Sequence, residues 1–269
     1  MNYYFMPRIE GLKCSVTLAN FPCVEGERLW SLEQVLHVAW SDHSLWQVRS
    51  LGTVPPGKSV VCTCDDLPSE LPDDISPFFF FHPKKLPLTL DRLIISDLML
   101  TSPNWRANIQ LSSPTTSTSY QGEYPGSMVG VEKGTLLSLG PLVQLKAGLI
   151  SKLILVNLGA APGNEVRHIR FAQMNKQKFL LEAKVRRNHC NIIDLSTLNC
   201  DGSDDPVCVF SNDLTGIPIF LTHDLKFTKM SLEHTHPPAE MLVFGDRVKI
   251  QNKMKDWWLS KINKYVDND

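Results

Sequence analysis

The chain has no surplus of charge of either sign: its 269 residues hold 27 Lys+Arg against 28 Asp+Glu, a formal net charge of −1. Nucleic-acid binders need a basic excess to neutralise phosphates, so this balance argues for no nucleic-acid partner. Long apolar runs are also missing. A helix that spans a bilayer needs ~20 apolar residues, and the best stretch, Gly148 to Leu158, is broken by Ser151, Lys152 and Asn157. Met1 to Ser15 contains Arg8, Glu10 and Lys13 and lacks the apolar block of a secretory signal. The seven cysteines (14, 23, 62, 64, 190, 200 and 208) are odd in number and have no paired zinc-finger spacing. These absences together read as a cytoplasmic protein with reduced thiols and no transmembrane segment.

What the chain does have is strand signals. At 43% hydrophobic and 20% charged its composition is that of an ordinary globular protein. Runs rich in Val, Ile, Phe, Trp and Thr, bounded by Gly, Pro, Asn and Asp, recur at Lys13–Ala19, Leu45–Leu51, Ser59–Thr63, Trp105–Leu111, Leu153–Leu158, Val166–Ala172 and Phe179–Val185. The series closes with Val207–Phe210, Ile217–Thr222, Lys229–His236 and Met241–Phe244. Such spacing predicts a mainly β protein, with one or two antiparallel β-sandwich or jelly-roll units. Ser31-Leu-Glu-Gln34 has capping-box spacing for a short helix over 32–39, but the β-branched and aromatic residues there fit a strand equally well. Ile250, Met254, Trp257, Trp258, Ile262 and Tyr265 recur at steps of three and four, which predicts a C-terminal amphipathic helix. An acidic, proline-rich stretch over 65–77 precedes Phe78-Phe-Phe-Phe81. The expected division is therefore an N-terminal β-rich unit (1–75), a main β-sandwich or jelly-roll domain (76–245) and the helix (246–269).

Gly52-Thr-Val-Pro-Pro-Gly57-Lys58-Ser59 satisfies the letters of a phosphate-binding loop. Such a loop offers successive backbone N–H groups and leads into a helix. Pro55 and Pro56 lack those donors, and Ser59-Val-Val-Cys-Thr is a strand sequence, so the stretch reads as a tight turn.

Chemistry-bearing residues concentrate in Leu232-Glu233-His234-Thr235-His236-Pro237-Pro238-Ala239-Glu240. On a strand His234 and His236 point to the same side, shared with Met230 and Leu232. The two prolines end the ladder, and Glu240 follows at a distance from which it can fold back. Two imidazoles and a carboxylate form the ligand set of a divalent metal with open positions. Without a metal, one histidine would serve as general base, oriented by Glu233 or Glu240. The spacing H-x-H-x-x-x-E resembles the first metal motif of the cupin jelly-roll family. The glycine expected before the first histidine is absent, and only 29 residues follow Glu240, too few for that family's second motif. The resemblance is one of coordination logic, and a fourth ligand would come from His168, His189 or His223.

Two further stretches suit ligand binding. Asn104, Arg106 and Asn108 share one strand face, where Arg106 would clamp an anionic group. Tyr120 and Tyr124 flank Glu123 at a turn, where aromatic rings would stack on a sugar or other flat ligand. In the last helix, Arg247, Lys249, Lys253, Lys255, Lys261 and Lys264 flank the apolar stripe, a pattern for peripheral membrane contact through 247–265 or for packing on a partner. The expected function is binding of a small polar ligand, sugar-like or anionic, at the strand end of His234 and His236. Hydrolase, lyase or isomerase chemistry assisted by histidine or a metal would fit that site. The alternative is a non-catalytic β-sandwich module that binds a glycan or protein and docks through its last helix.

Overall fold

The computed structural model describes residues 1–21, 32–95, 106–131, 134–140, 148–173, 176, 178–198 and 207–234, and in the C-terminal stretch 253, 256, 257, 259–262 and 264. Among them the chain is mainly β, with several antiparallel sheets. The strands in chain order are β1 (Asn2–Phe5), β2 (Lys13–Ala19), β3 (Gln34–Asp42), β4 (Leu45–Val54), β5 (Ser59–Thr63), β6 (Phe78–His82), β7 (Thr89–Leu90), β8 (Ala107–Ser112) and β9 (Ser117–Gly122). They continue as β10 (Tyr124–Pro125), β11 (Leu136–Gly140), β12 (Leu149–Asn157), β13 (Val166–Gln173), β14 (Lys178–Arg186), β15 (His189–Asp194), β16 (Val207–Ser211), β17 (Ile217–Asp224) and β18 (Met230–His234). The helical elements with both ends described are one turn of α-helix, α1 (Gly126–Val129), and a 3-10 turn at Cys64–Asp66. No helix among the described residues is long and apolar enough to cross a membrane.

The chain divides into two compact units that are not continuous in sequence. Unit 1 is Met1–Glu132, Val156–Glu165 and Arg186–Asn191, and unit 2 is Lys133–Leu155, Val166–Val185 and Ile192–Asp269. The boundary expected near residue 75 falls between β5 and β6, and β6 lies between β1 and β3 in one sheet.

Unit 1 contains a six-stranded sheet in the order β10-β1-β6-β3-β4-β7 and a four-stranded sheet in the order β5-β2-β8-β9. The Phe78–Phe81 run forms β6, held between β1 and β3. A strand buried on both faces accepts an unbroken apolar run, and all four rings are at most 1% exposed. Tyr3 and His37 lie against Phe80, each with ring centroids 5.2 Å away, and Trp46 meets Phe78 edge-on at 6.3 Å. The polar tip of Trp46 is satisfied by the Ala160 carbonyl at 2.9 Å. Of residues 32–39, undecided between helix and strand, those from Gln34 onward enter β3. Its pairing with β4 shifts register between Leu36 and His37. The shift leaves Leu51 as the extra residue, next to Gly52, whose φ of +115° only glycine adopts without strain.

Unit 2 contains two four-stranded sheets, β11-β16-β13-β14 and β15-β12-β17-β18. One apolar cluster draws on both: Leu136, Ile169, Phe171, Val185 and Val209 from the first sheet meet Leu153, Leu155 and Phe220 from the second. The opposite face of the first sheet carries a smaller cluster of Leu137, Ala172, Cys208 and Phe210, covered by Leu259 and Ile262. Described residues 253, 256, 257, 259–262 and 264 are helical. Ile262, on the predicted apolar stripe, is fully buried, whereas Trp257 is 51% exposed with Lys261 Nζ 3.6 Å above its ring.

Candidate functional site

The strand-end histidines are described in part. His234 ends β18, an edge strand, and pairs with Ile219, while Glu233 pairs with Phe220. The register gives His234, Leu232 and Met230 one face, shared with Ile219, Leu221 and His223, as strand alternation requires. Phe220 faces the cluster between the sheets, so His234 lies on the opposite side of its sheet from that cluster. The exposed Glu233 accepts a hydrogen bond from Ser231 Oγ at 3.0 Å. His236 and Glu240 lie outside the described residues. Of the three candidate further ligands, His223 is four residues along β17 from the partner of His234, about 13 Å at the rise of a strand. His168 stands on a different sheet, and His189 belongs to unit 1. Among the described residues no group of three metal-binding side chains forms.

The ligand-binding candidates of unit 1 converge in part. Asn104 lies outside the described residues. Ala107 pairs with Gly122 and Asn108 with Gln121, which sets Arg106 across from Glu123. Arg106 Nε stands 3.4 Å from Glu123 Oε2. That oxygen is shielded from water and makes no hydrogen bond among the described residues. Burial raises the Glu123 carboxyl above its usual range, against the opposing pull of Arg106. Burial, and then the Glu123 charge, pushes Tyr120 up to about 12. Tyr120 lies over Gly122, where a Cβ would fall inside its ring. Tyr124 is fully buried in β10, so it is not a stacking platform for a ligand.

A third set, in unit 1, was not legible as a set. Ser76 Oγ lies 3.0 Å from His189 Nδ1 and accepts the Cys190 N–H at 2.9 Å. Arg186 donates to His189 Nε2 at 3.0 Å, to Asp74 Oδ2 at 3.1 Å and to the Asp74 carbonyl at 2.6 Å. A guanidinium has no acceptor, so His189 Nε2 must present its lone pair to Arg186 and the ring proton must sit on Nδ1. Nδ1–H therefore donates to Ser76. The pair resembles a serine activated by a base, yet with Nε2 committed to Arg186 the nitrogen that faces Ser76 already carries a proton and cannot take one from the hydroxyl. Burial, and then the nearby Arg186 charge, lowers His189 to about 4. His37 is saturated in the same way: Nδ1 donates to the Val35 carbonyl at 3.1 Å and Nε2 accepts the Leu86 N–H at 3.2 Å. Burial, the largest cause, lowers it to about 4.

The fourth set is open. On the outward face of β13, His168 and Arg170 flank Glu182 of β14. His168 Nδ1 is 2.7 Å from Glu182 Oε1, and Arg170 Nε donates to Oε2 at 2.9 Å. These bonds, that from Arg170 first, hold Glu182 below the usual carboxylate range. An ionised Glu182 only accepts, so Nδ1 carries the proton and Nε2 is the ring atom left for a ligand. A cavity of about 300 Å³ opens here, lined by His168, Arg170, Phe210, Ser211, Asn212 and Asp213. Phe210, which pairs with Arg170 across the ladder, borders the cavity, but its side chain is buried under Leu259 and Ile262. Ser211 Oγ stands 2.9 Å from the His168 carbonyl oxygen and 2.8 Å from Asp213 Oδ1. Ser211 thus bonds the backbone of His168 and not its ring, a wiring that positions a loop and does not activate a nucleophile. The signal in the sequence was Arg167-His168-Ile169-Arg170 on a predicted strand with Glu182 on the next.

The stretch with phosphate-loop letters is a turn between β4 and β5. Lys58 N–H bonds the Pro55 carbonyl at 3.2 Å, Gly57 has a φ of +72°, and β5 begins at Ser59 with no helix. No protein-family model matches the chain, and neither a similar curated protein nor a similar solved structure is found.

Proposed function

We propose that this protein binds a small, neutral, polyhydroxylated ligand, sugar-like in chemistry, in the cavity of His168, Arg170, Ser211, Asn212 and Asp213. We read each unit as a two-sheet sandwich. The observation that carries the proposal is an open cavity whose polar wall is hydrogen-bonded and balanced in charge. Arg170 is matched by Glu182 at 2.9 Å, and Arg167 by Asp213 at 3.7 Å. An anion would find no uncompensated positive charge there. A polyol needs donors and acceptors side by side, which Asn212, Asp213 and His168 Nε2 supply. This reading prefers the sugar-like ligand to the anionic one, and sets it at His168 in place of the His234 strand end. It also favours binding over chemistry, because the serine and the imidazole are not joined.

Titration of the isotope-labelled protein with a panel of monosaccharides, and separately with inorganic phosphate, tests it. The expectation is saturable amide shifts confined to 167–171 and 210–213 with one or more sugars, at a Kd on the order of 1 mM for so open a site. Phosphate is expected to leave these amides in place. A panel without effect there, or a phosphate response stronger than any sugar response, rejects the proposal.

A further inference from the structure

Unit 1 brings thiols together at one end of the β2–β5 ladder. That ladder pairs Val16 with Cys62 and Ser15 with Thr63. The next antiparallel step sets Cys14 across from Cys64, the residue at which the strand gives way to the 3-10 turn. Alternation puts both on the face of Val16 and Cys62. Facing residues of an antiparallel pair have Cα atoms about 4.5–5.5 Å apart, inside the ~4.4–6.8 Å that a disulfide spans. The turn beyond is pinned in place: Thr63 donates to Asp66 Oδ2 from its backbone N–H and its hydroxyl, each at 2.8 Å.

The two thiols differ in access. Cys64 is exposed, whereas Cys14 is 4% exposed, and the other described cysteines (Cys62, Cys190 and Cys208) are buried. Cys64 Sγ nevertheless turns inward, 3.9 Å from Met6 Sδ. Burial raises the Cys14 thiol well above its ordinary range, and charges on Cys64 and Cys190 add to this, so both lie within electrostatic reach of it.

We propose that Cys14 and Cys64 form a site of oxidative modification by peroxide, in which exposed Cys64 reacts first and buried Cys14 closes a disulfide onto it. The Cys64 thiolate attacks one peroxide oxygen, the O–O bond breaks, and the departing hydroxide takes up a proton to leave as water. The sulfur is now a sulfenic acid. The Cys14 sulfur attacks it, the S–S bond forms, the S–O bond breaks, and the hydroxide leaves as water with the Cys14 proton. Two thiols are oxidised and one peroxide is reduced to two waters. Burial of Cys14 keeps it from direct attack, while its place across the ladder lets it reach the sulfenic acid with no strand displaced.

Hydrogen peroxide in small excess over the native protein tests this, followed by N-ethylmaleimide, digestion without reductant and mass spectrometry. The expected result is a loss of about 2 Da from the intact mass, reversed by dithiothreitol, and a linked peptide pair holding Cys14 and Cys64. Cys64→Ser abolishes the link, Cys190→Ser keeps it, and Cys14→Ser leaves Cys64 to run on to sulfinic acid. Wild-type Cys64 recovered as its maleimide adduct, as a sulfinic acid, or linked to Cys190 overturns the proposal.

Discussion

Each unit holds a histidine, an arginine, a carboxylate-bearing residue and a serine in one hydrogen-bonded set, and the two sets are wired in opposite ways. In unit 1, Arg186 takes the lone pair of His189 Nε2, and Ser76 takes the proton of Nδ1 and the Cys190 N–H, so both nitrogens of the ring are committed. In unit 2, Glu182 takes the Nδ1 proton of His168 and holds Arg170 with its other oxygen, which leaves Nε2 uncommitted on a residue that lines a cavity. Residue type does not distinguish the two sets. What separates them is whether the second ring nitrogen meets a protein partner or an opening.

The comparison predicts opposite costs. Ser76→Ala strands the Cys190 N–H and the His189 Nδ1–H in a buried place, and orphaned buried donors are expensive. The expected loss is about 2–3 kcal/mol in urea unfolding, and a loss below about 0.5 kcal/mol would show that Ser76 holds nothing together. Acid comes next. His37 and His189 are both lowered to about 4 by burial, with Arg186 the next cause for His189. A depressed histidine favours the neutral folded form, so its stabilisation is full above the unfolded value near 6.5 and is lost as pH falls toward 4. The melting temperature should drop across that window, and His189→Asn should flatten part of the drop. A curve level from pH 7 to pH 4 breaks this side of the contrast.

The open set should behave in reverse. Glu182→Gln removes an exposed ion pair, worth about 0.5 kcal/mol or less once solvent screening is counted, while freeing the His168 and Arg170 side chains. Sugar binding by the variant should weaken about tenfold or more with the melting curve almost unmoved. A variant that melts early but binds normally would make Glu182 structural. Asn212→Ala, the mildest change, should weaken binding severalfold and leave unfolding unchanged.

Local pattern carried much of the fold. Lys13–Ala19 and Ser59–Thr63 are strands with the bounds expected of them, and Val166–Ala172 and Phe179–Val185 lengthen by one or two residues. Leu45–Leu51 ended too soon because the bulge at Leu51 breaks the alternation before the strand resumes. The site was far less legible. The two histidines beside Pro237 stand out because they are neighbours in sequence, while His168 and Glu182 are 14 residues apart, and Ser76 and His189 are 113 apart. Only strand pairing joins those partners, and one sequence does not state which strands pair.

The most direct test of the contrast is the ring nitrogen spectrum of the histidines at neutral pH, with and without the best-binding sugar. His189 should show a protonated Nδ1 and an Nε2 resonance that the sugar leaves unmoved, while His168 Nε2 should shift in step with saturation. A His168 signal indifferent to every sugar, or a His189 ring with its proton on Nε2, would contradict the account.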